Sequence, residues 1–423
     1  MNLIEKDSQY LWHPYTQHKT AQTPIAIKKG EGALLWDENN KEYIDAIASW
    51  WVNPFGHSNT FIADAIYKQL TTLEHVLFGG FTHEPAVVLA EKLMQILPEN
   101  QQKIFFSDNG STSVEVAIKV ALQYFFNKGQ KRTTIIAFED AFHGDTFAAM
   151  AASGISFYTQ AFQGMFIDVV RIPVPVKGRE QASFDALKKV IQEYQCAGFI
   201  FEPLVQGAAG MVMYESEALD ELIKICKESK VLTIADEVMT GFGKTGKTFA
   251  MDYCRQIPDM MCLSKALTGG TIPMAITTFT QEIFEAFYDE DINKALFHGH
   301  TFTANPTGCA AALASLELLQ TPEMQANLVR VNQRHLDFEE YIKKHPKVTA
   351  TRVLGTIFAL EIRKENEESY YGTMRTKLYN FFIENGIILR PVGNIVYILP
   401  PYIITDTQLQ KIYEVVEKAL EIV

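Results

Sequence analysis

Short apolar segments recur through the middle of this chain at Lys103–Phe106, Thr134–Phe138, Gly198–Phe201, Val231–Ala235 and Met260–Leu263. Amphipathic stretches separate them, among them Ser113–Asn127 and Ser216–Ser229. In the first of these, Val114, Ile118, Ala121, Leu122 and Phe125 recur at helical spacing. Strands that are apolar throughout, alternating with helices, specify a mostly parallel sheet covered on both faces. The expected fold is therefore α/β. In open sheets of this kind ligands bind beyond the carboxyl ends of the strands, so the residues just after each segment are the first to examine.

Both flanks read differently. Residues 33–45 have the pattern of a hairpin, and after Asn305-Pro306 come long helices followed by two apolar runs, 386–391 and 395–401. The expected organisation is a large domain over residues 56–305 and a small α+β domain built from residues 1–55 and 306–423. The whole is 423 residues, 47% hydrophobic and 21% charged, which is enough to bury a large core. Thirty-eight basic residues stand against 50 acidic ones, a net charge of −12 with no basic block to offset it. That balance disfavours nucleic acid or an anionic membrane as partner. The start, Met1 to Asp7, is charged at once and lacks the apolar core of a signal peptide. No uninterrupted apolar run reaches the ~18 residues of a membrane span. The five cysteines are scattered without a C-x-x-C pair, as free thiols in a reducing compartment would be. The expectation is a cytoplasmic protein acting on small molecules.

Two segment ends carry the sharpest chemistry. Val231–Ala235 ends in Asp236-Glu237, and the next run ends in Ser264-Lys265 before Thr268-Gly269-Gly270. An acid at one strand end and a lysine at the next suggest a pyridoxal phosphate site. The lysine carries the cofactor as a Schiff base, and the aspartate keeps the pyridinium nitrogen protonated so that the ring accepts electrons. Each unit by which the carboxylate raises the ring nitrogen's pKa is ~1.4 kcal/mol toward that form. Singly, Asp236 reads equally as a helix N-cap and Lys265 as a solvated loop residue.

The other motifs are weaker alone. Ser107 to Glu115 is a strand end, a glycine turn and a helix start, with capping-box spacing between Thr112 and Glu115. It is either a plain capped helix or a phosphate site at a helix N-terminus, and the Asp–Lys pair downstream favours phosphate. Phe142 is an aromatic for stacking on a flat ring, with His143 and Asp145 as polar support, or simply a buried loop aromatic. Glu202 reads as a partner for an arginine or a substrate amine, or as a structural ion pair. His298 and His300 raise zinc, but no further ligands complete a set, so no metal is expected. Thr301 is a phosphate-ligand candidate, and Arg390 reads as a carboxylate clamp or a surface arginine. Trp12, Trp50 and Trp51 are three of the four tryptophans; they read as core or as the wall of a cleft.

Asp236-Glu237 with Thr240-Gly241-Phe242-Gly243, then Lys265-Ala266-Leu267, resemble the class III (ω-amino) aminotransferases of PLP fold type I. The resemblance runs from Trp12 to Tyr402 and takes in Trp12-His13-Pro14-Tyr15, Ser49-Trp50-Trp51 and Arg390-Pro391. It implies a mostly parallel seven-stranded sheet, pyridoxal 5'-phosphate as cofactor, and a homodimer whose active site is shared across the interface. Lys265 is then the Schiff-base lysine and Asp236 the pyridinium partner. Gly110 and Ser111 bind phosphate, joined by His300 and Thr301 from the second subunit, and Phe142 lies over the ring. Tyr15, Trp50, Phe142, Gly299 and Arg390 line the substrate site. The implied activity is amino transfer to 8-amino-7-oxononanoate in biotin synthesis, with S-adenosylmethionine as donor. Lysine as donor, or another ω-amine such as ornithine, 4-aminobutyrate or a diamine, is the alternative. Three positions depart from the pattern: Phe142 for tyrosine, Lys244 for arginine and His300 for proline. The first two are expected on the substrate side.

Overall fold

The structure, a computed structural model, describes residues 1–154, 158–363 and 373–423. Near the N-terminus β1 (Ile27–Glu31), β2 (Leu34–Asp37) and β3 (Glu42–Asp45) form an antiparallel meander. The β2–β3 turn is set by Asp37, whose Oδ1 accepts the backbone N–H of Asn39 and Lys41, both at 2.9 Å. Asn40 takes the left-handed conformation at φ 64°, which asparagine tolerates.

The large sheet contains β4 (Gln101–Ser107), β5 (Thr134–Phe138), β6 (Val169–Ile172) and β7 (Cys196–Phe201). A small ribbon, β8 (Val205–Gln206) with β9 (Val212–Met213), follows. The sheet is completed by β10 (Leu232–Asp236), β11 (Met260–Leu263) and β12 (Ala275–Thr280), in the order β4-β12-β11-β10-β7-β5-β6. Six strands run the same way; β12 alone is antiparallel to both neighbours, β11 and β4. The expected α/β sheet of seven mostly parallel strands is thus present, with β6 and β12 additional to the segments read from sequence.

Downstream, β13 (Val348–Leu354), β14 (Ile357–Ile362) and β16 (Ile395–Ile398) form a second antiparallel sheet. Between them in sequence, β15 (Ile387–Ile388) pairs in parallel with β3 and so ties the two ends of the chain together.

The helix after β4 spans Gly110–Asn127. Val114, Ile118, Ala121 and Phe125 are all buried against the sheet, at ~1.5–3 kcal/mol for each of the larger side chains. Its cap corrects the sequence expectation. Asn109, extended at φ −160°, accepts the Thr112 N–H through its side chain at 3.1 Å, and Thr112 Oγ1 accepts the Asn109 N–H. Glu115 is left free to accept the N–H groups of Ala148 and Ala149 at 2.7 and 3.1 Å, capping the next helix, Phe147–Ala152.

One turn has the wrong hand for L-residues. Ala48, Ser49, Trp50 and Trp51 all have positive φ, at 46°, 56°, 101° and 70°. Asp45, fully buried, braces it by accepting from Ser49 Oγ (2.8 Å), the Ile47 N–H (3.2 Å) and His57 Nε2 (3.0 Å).

Candidate active site

The carboxyl ends of β4, β7, β10 and β11 open on a cavity of about 750 Å³, within the range of small-molecule sites. Asp236, at the last residue of β10, and Lys265, just past β11, both line it. Parallel pairing sets Asp236 beside Cys262, so the two strand ends reach the same level.

Asp236 is nearly buried, with Oδ1 accepting the Val238 N–H at 3.1 Å. Its Oδ2 lies 2.7 Å from Nδ1 of the buried His143. The carboxylate can only accept there, so His143 carries its proton on Nδ1. His143 Nε2 is buried with no partner among the described residues. Sequence reading made His143 polar support but had no means of saying which acid it meets.

Lys265 has φ 49°, and its Nζ sits 4.7 Å from the centroid of the Trp51 ring. Burial of the amine pulls its pKa down to about 8, against the opposing pull of the Asp236 and Glu202 carboxylates. An amine in that range is available as a nucleophile near neutral pH.

At the cavity's far end stands the first turn of helix Gly110–Asn127, whose leading N–H groups have no partner within the helix. A Cβ on Gly110 would stand 2.6 Å from Val238 Cγ1, and one on Gly144 (φ 129°) only 2.3 Å from Ser111 Oγ. Ser111 Oγ lies 2.7 Å from Thr146 Oγ1 and accepts the Thr146 N–H at 3.0 Å, fastening two loops into one cradle. Phe142 and Val238 supply apolar wall.

Among the described residues Glu202 makes neither the arginine pair nor the structural ion pair weighed from sequence. It accepts the N–H groups of Phe142 and Gly207, both at 3.0 Å. Burial pushes its pKa up to about 7. The two backbone donors give each carboxylate oxygen a hydrogen bond without a cation beside it.

Tyr15, Trp50 and Arg390 come together in a separate group. Arg390 lies 4.7 Å over the Trp50 ring, and Tyr15 meets Trp50 edge-on at 6.0 Å. Tyr15 OH donates to Asp145 at 2.5 Å, and Asp145 in turn lines the cavity, which ties this group to its mouth. Gly299, His300 and Thr301 do not line the cavity of their own chain. His300 faces Asp108 at 3.5 Å and His298 at 3.2 Å. Lys244 also departs from expectation: it is 1% exposed and lies outside the cavity wall, with Nζ 3.4 Å from the Gly241 carbonyl.

Comparison with known proteins decides what this arrangement belongs to. Residues 15–420 match the family described as aminotransferase class-III. The chain belongs to that family. It is accordingly a pyridoxal-phosphate-dependent aminotransferase. Among curated relatives, the adenosylmethionine-8-amino-7-oxononanoate aminotransferase of Synechococcus elongatus is 43% identical over 420 residues, covering 97% of this chain and 98% of the relative. The protein of that name from Helicobacter pylori is 34% identical over 426 residues, covering 97% and 95%. The crystal structure of the same-named enzyme from Methanocaldococcus jannaschii superposes with TM-score 0.94 at 33% identity, covering 99% of this chain and 98% of that one. An omega transaminase from Pseudomonas jessenii, solved in complex with PMP, superposes with TM-score 0.93 at 29% identity, covering 100% and 98%.

The donor set suits the cofactor. A carboxylate fixed by a histidine, a desolvated amine and a glycine-lined helix N-terminus face one cavity, matching a ring nitrogen, an aldehyde and a phosphate. No helix among the described residues is long and apolar enough to cross a membrane.

Proposed function

We propose that this aminotransferase moves an amino group from S-adenosylmethionine to 8-amino-7-oxononanoate, giving 7,8-diaminononanoate for biotin synthesis. The observation that carries the reading is the convergence of Asp236 and Lys265 on one cavity, in a chain matched end to end by relatives of that name. Bound pyridoxal phosphate supplies the electron sink that acidifies the carbon bearing the amine. Asp236, oriented by His143, holds the proton of the ring nitrogen. Lys265 would hold the cofactor, and its amine would carry the proton to and from the donor carbon. Gly110 and Ser111 would hold the phosphate, and Phe142 would supply an apolar surface for the ring. Arg390 takes the substrate carboxylate, with Tyr15 and Trp50 along its aliphatic chain.

The working form is a cytoplasmic homodimer. Leu77, Phe81, Phe297 and Phe302 are each 58–69% exposed, apolar surface that a second copy would cover. Gly299, His300 and Thr301 on the same face would then serve the partner's site. The domain division at residues 55 and 305 belongs to the same proposal.

Purified protein given 8-amino-7-oxononanoate and a donor panel of S-adenosylmethionine, lysine, ornithine and 4-aminobutyrate tests the activity. Formation of 7,8-diaminononanoate with S-adenosylmethionine supports it. Formation with lysine alone reassigns the donor, and no product with any donor refutes the acceptor. Lys265→Ala should lower turnover ~10²–10⁴-fold, the usual range for a positioned proton carrier.

A further inference from the structure

The loop that carries Gly299 and Thr301 reaches its place along one face of helix Gly110–Asn127. Asn127 Nδ2 donates to Lys294 O at 2.9 Å, and Gln123 Nε2 donates to Ala295 O at 2.9 Å. One turn nearer the N-terminus, Lys119 Nζ lies 3.0 Å from His298 Nδ1. Positions 119, 123 and 127 are four apart and so form a single stripe on the helix. Residues 294–300 thus run backwards along the helix and arrive at its N-terminus, where Gly110 and Ser111 face the cavity. There His298 Nε2 meets His300 Nε2 at 3.2 Å, and His300 Nδ1 faces Asp108 Oδ2 at 3.5 Å.

Only one arrangement of protons satisfies this row. An ammonium can only donate, so His298 accepts from Lys119 on Nδ1 and carries its proton on Nε2. His300 then accepts on Nε2 and keeps its proton on Nδ1, turned to the Asp108 carboxylate. Both imidazoles are uncharged, and each is held from two sides. The His300 backbone N–H is engaged as well, donating to Thr303 Oγ1 at 3.0 Å. With the donors of His300 committed within its own chain, Thr301, exposed beside it, is the residue left to reach a phosphate.

We infer that His298 and His300 are positioning residues. Linked in the row Lys119–His298–His300–Asp108, they set the loop carrying Thr301 at the phosphate end of the helix, where it serves the cofactor of a second copy.

The charges around the row decide when it holds. Burial lowers the pKa of His298 from 6.5, Lys119 and His300 add to that, and Glu115 on the helix works against them. Phe105, on β4, meets the His298 ring edge-on at 6.0 Å and carries no charge. Asp108 is the acid at the far end. A proton added to His298 would set Nδ1–H against the Lys119 ammonium. The row therefore holds at neutral pH and comes apart as pH falls below 6.5.

The inference rests on the shared-site dimer proposed above, and the test separates the two. Apoprotein is titrated with pyridoxal phosphate, and separately with pyridoxal, from pH about 7.5 down to about 5.5, across the imidazole range. Wild type is compared with His298→Gln, whose amide can accept from Lys119 and donate to His300, and with His298→Leu, which can do neither. At neutral pH the leucine variant should bind pyridoxal phosphate about tenfold more weakly, the worth of one bond to phosphate. The glutamine variant should stay close to wild type. On acidification wild type should lose affinity relative to the glutamine variant and approach the leucine one. The cofactor's own phosphate titrates alike in all three and cancels. With pyridoxal the three should coincide. Sedimentation and circular dichroism verify dimer and fold. If the leucine chain fails either, Lys119→Met, at an exposed position, cuts the row at its other end and should act in the same direction. Equal affinity of all three for pyridoxal phosphate, or equal loss in the glutamine and leucine variants, overturns the inference and leaves the cradle at Ser111 standing. A difference that persists with pyridoxal overturns it too. Wild type that sediments as a monomer, or takes up pyridoxal as tightly as its phosphate, removes the reading beneath the inference, which falls with it.

Discussion

Replacing Gly144 by alanine tests the phosphate cradle where its geometry is least forgiving. The new Cβ would stand 2.3 Å from Ser111 Oγ, 2.5 Å from its Cβ and 2.8 Å from its Cα, so rotating the hydroxyl away gives no relief. The residue must move bodily by about 1 Å to reach ordinary contact. That displacement breaks the bonds from Ser111 Oγ to Thr146 Oγ1 and the Thr146 N–H, at about 1 kcal/mol each. Alanine at φ 129° adds strain of about 1–3 kcal/mol. Apoprotein stability should therefore fall by roughly 3–5 kcal/mol in total. Cofactor affinity should fall for a separate reason: a turn displaced by that much loses one charge-assisted bond to phosphate, about 1.5–3 kcal/mol or ten- to hundredfold. Apoprotein at a temperature where it remains folded is titrated with pyridoxal phosphate, following absorbance, and its urea midpoint is measured separately. An affinity within twofold of wild type would refute the claim that Ser111 and its turn hold the phosphate.

Three further outcomes follow from other parts of the molecule. Arg390→Met should raise KM for the keto acid about 10–100-fold while leaving cofactor uptake unchanged, since a single charge-assisted pair is lost; steady-state kinetics on both substrates check this. Glu202, neutral up to about 7 in the folded chain but with an ordinary value of 4.5, binds more protons folded than unfolded between those limits. Its contribution to stability is full below 4.5 and is lost as pH rises through about 7, so Glu202→Gln should flatten that part of the stability–pH curve in urea titrations. His335 is fully buried and its pKa is pulled down to about 3 by burial, so the ring stays neutral, donating from Nε2 to Thr356 O and accepting from Tyr413 OH. His335→Leu strands both partners and should cost about 2–4 kcal/mol in thermal or urea unfolding, with kcat affected little at temperatures where the chain is folded.

The parallel part of the sheet was legible because its strands are buried on both faces and therefore apolar throughout, and because the rule placing ligands at strand ends pointed straight to Asp236 and Lys265. β12 was not, since Ala275–Thr280 is rich in threonine and its place between β4 and β11 is decided by pairing with residues far away in sequence. The cap at Asn109 was missed for a local reason: Thr112–Glu115 satisfies the same spacing rule, and only the backbone shows which residue is extended. The bond from His143 to Asp236 spans 93 positions, and no periodicity carries that information. Lys244 shows the reverse problem. Composition assigns a lysine to water, and the structure buries it because Thr356 and Gly241 fix its loop from two sides.

The left-handed turn at Ala48–Trp51 carries a lesson for anyone altering this protein. Reversed coiling sends adjacent indoles to unlike duties, Trp51 against the Lys265 amine and Trp50 beneath the Arg390 guanidinium. L-residues resist such coiling by roughly 1–2 kcal/mol apiece, and three bonds to Asp45 offset the resistance. One buried acid thus decides where two aromatic surfaces point, and exchanging it for asparagine or alanine would disturb the surroundings of Lys265 and Arg390 together.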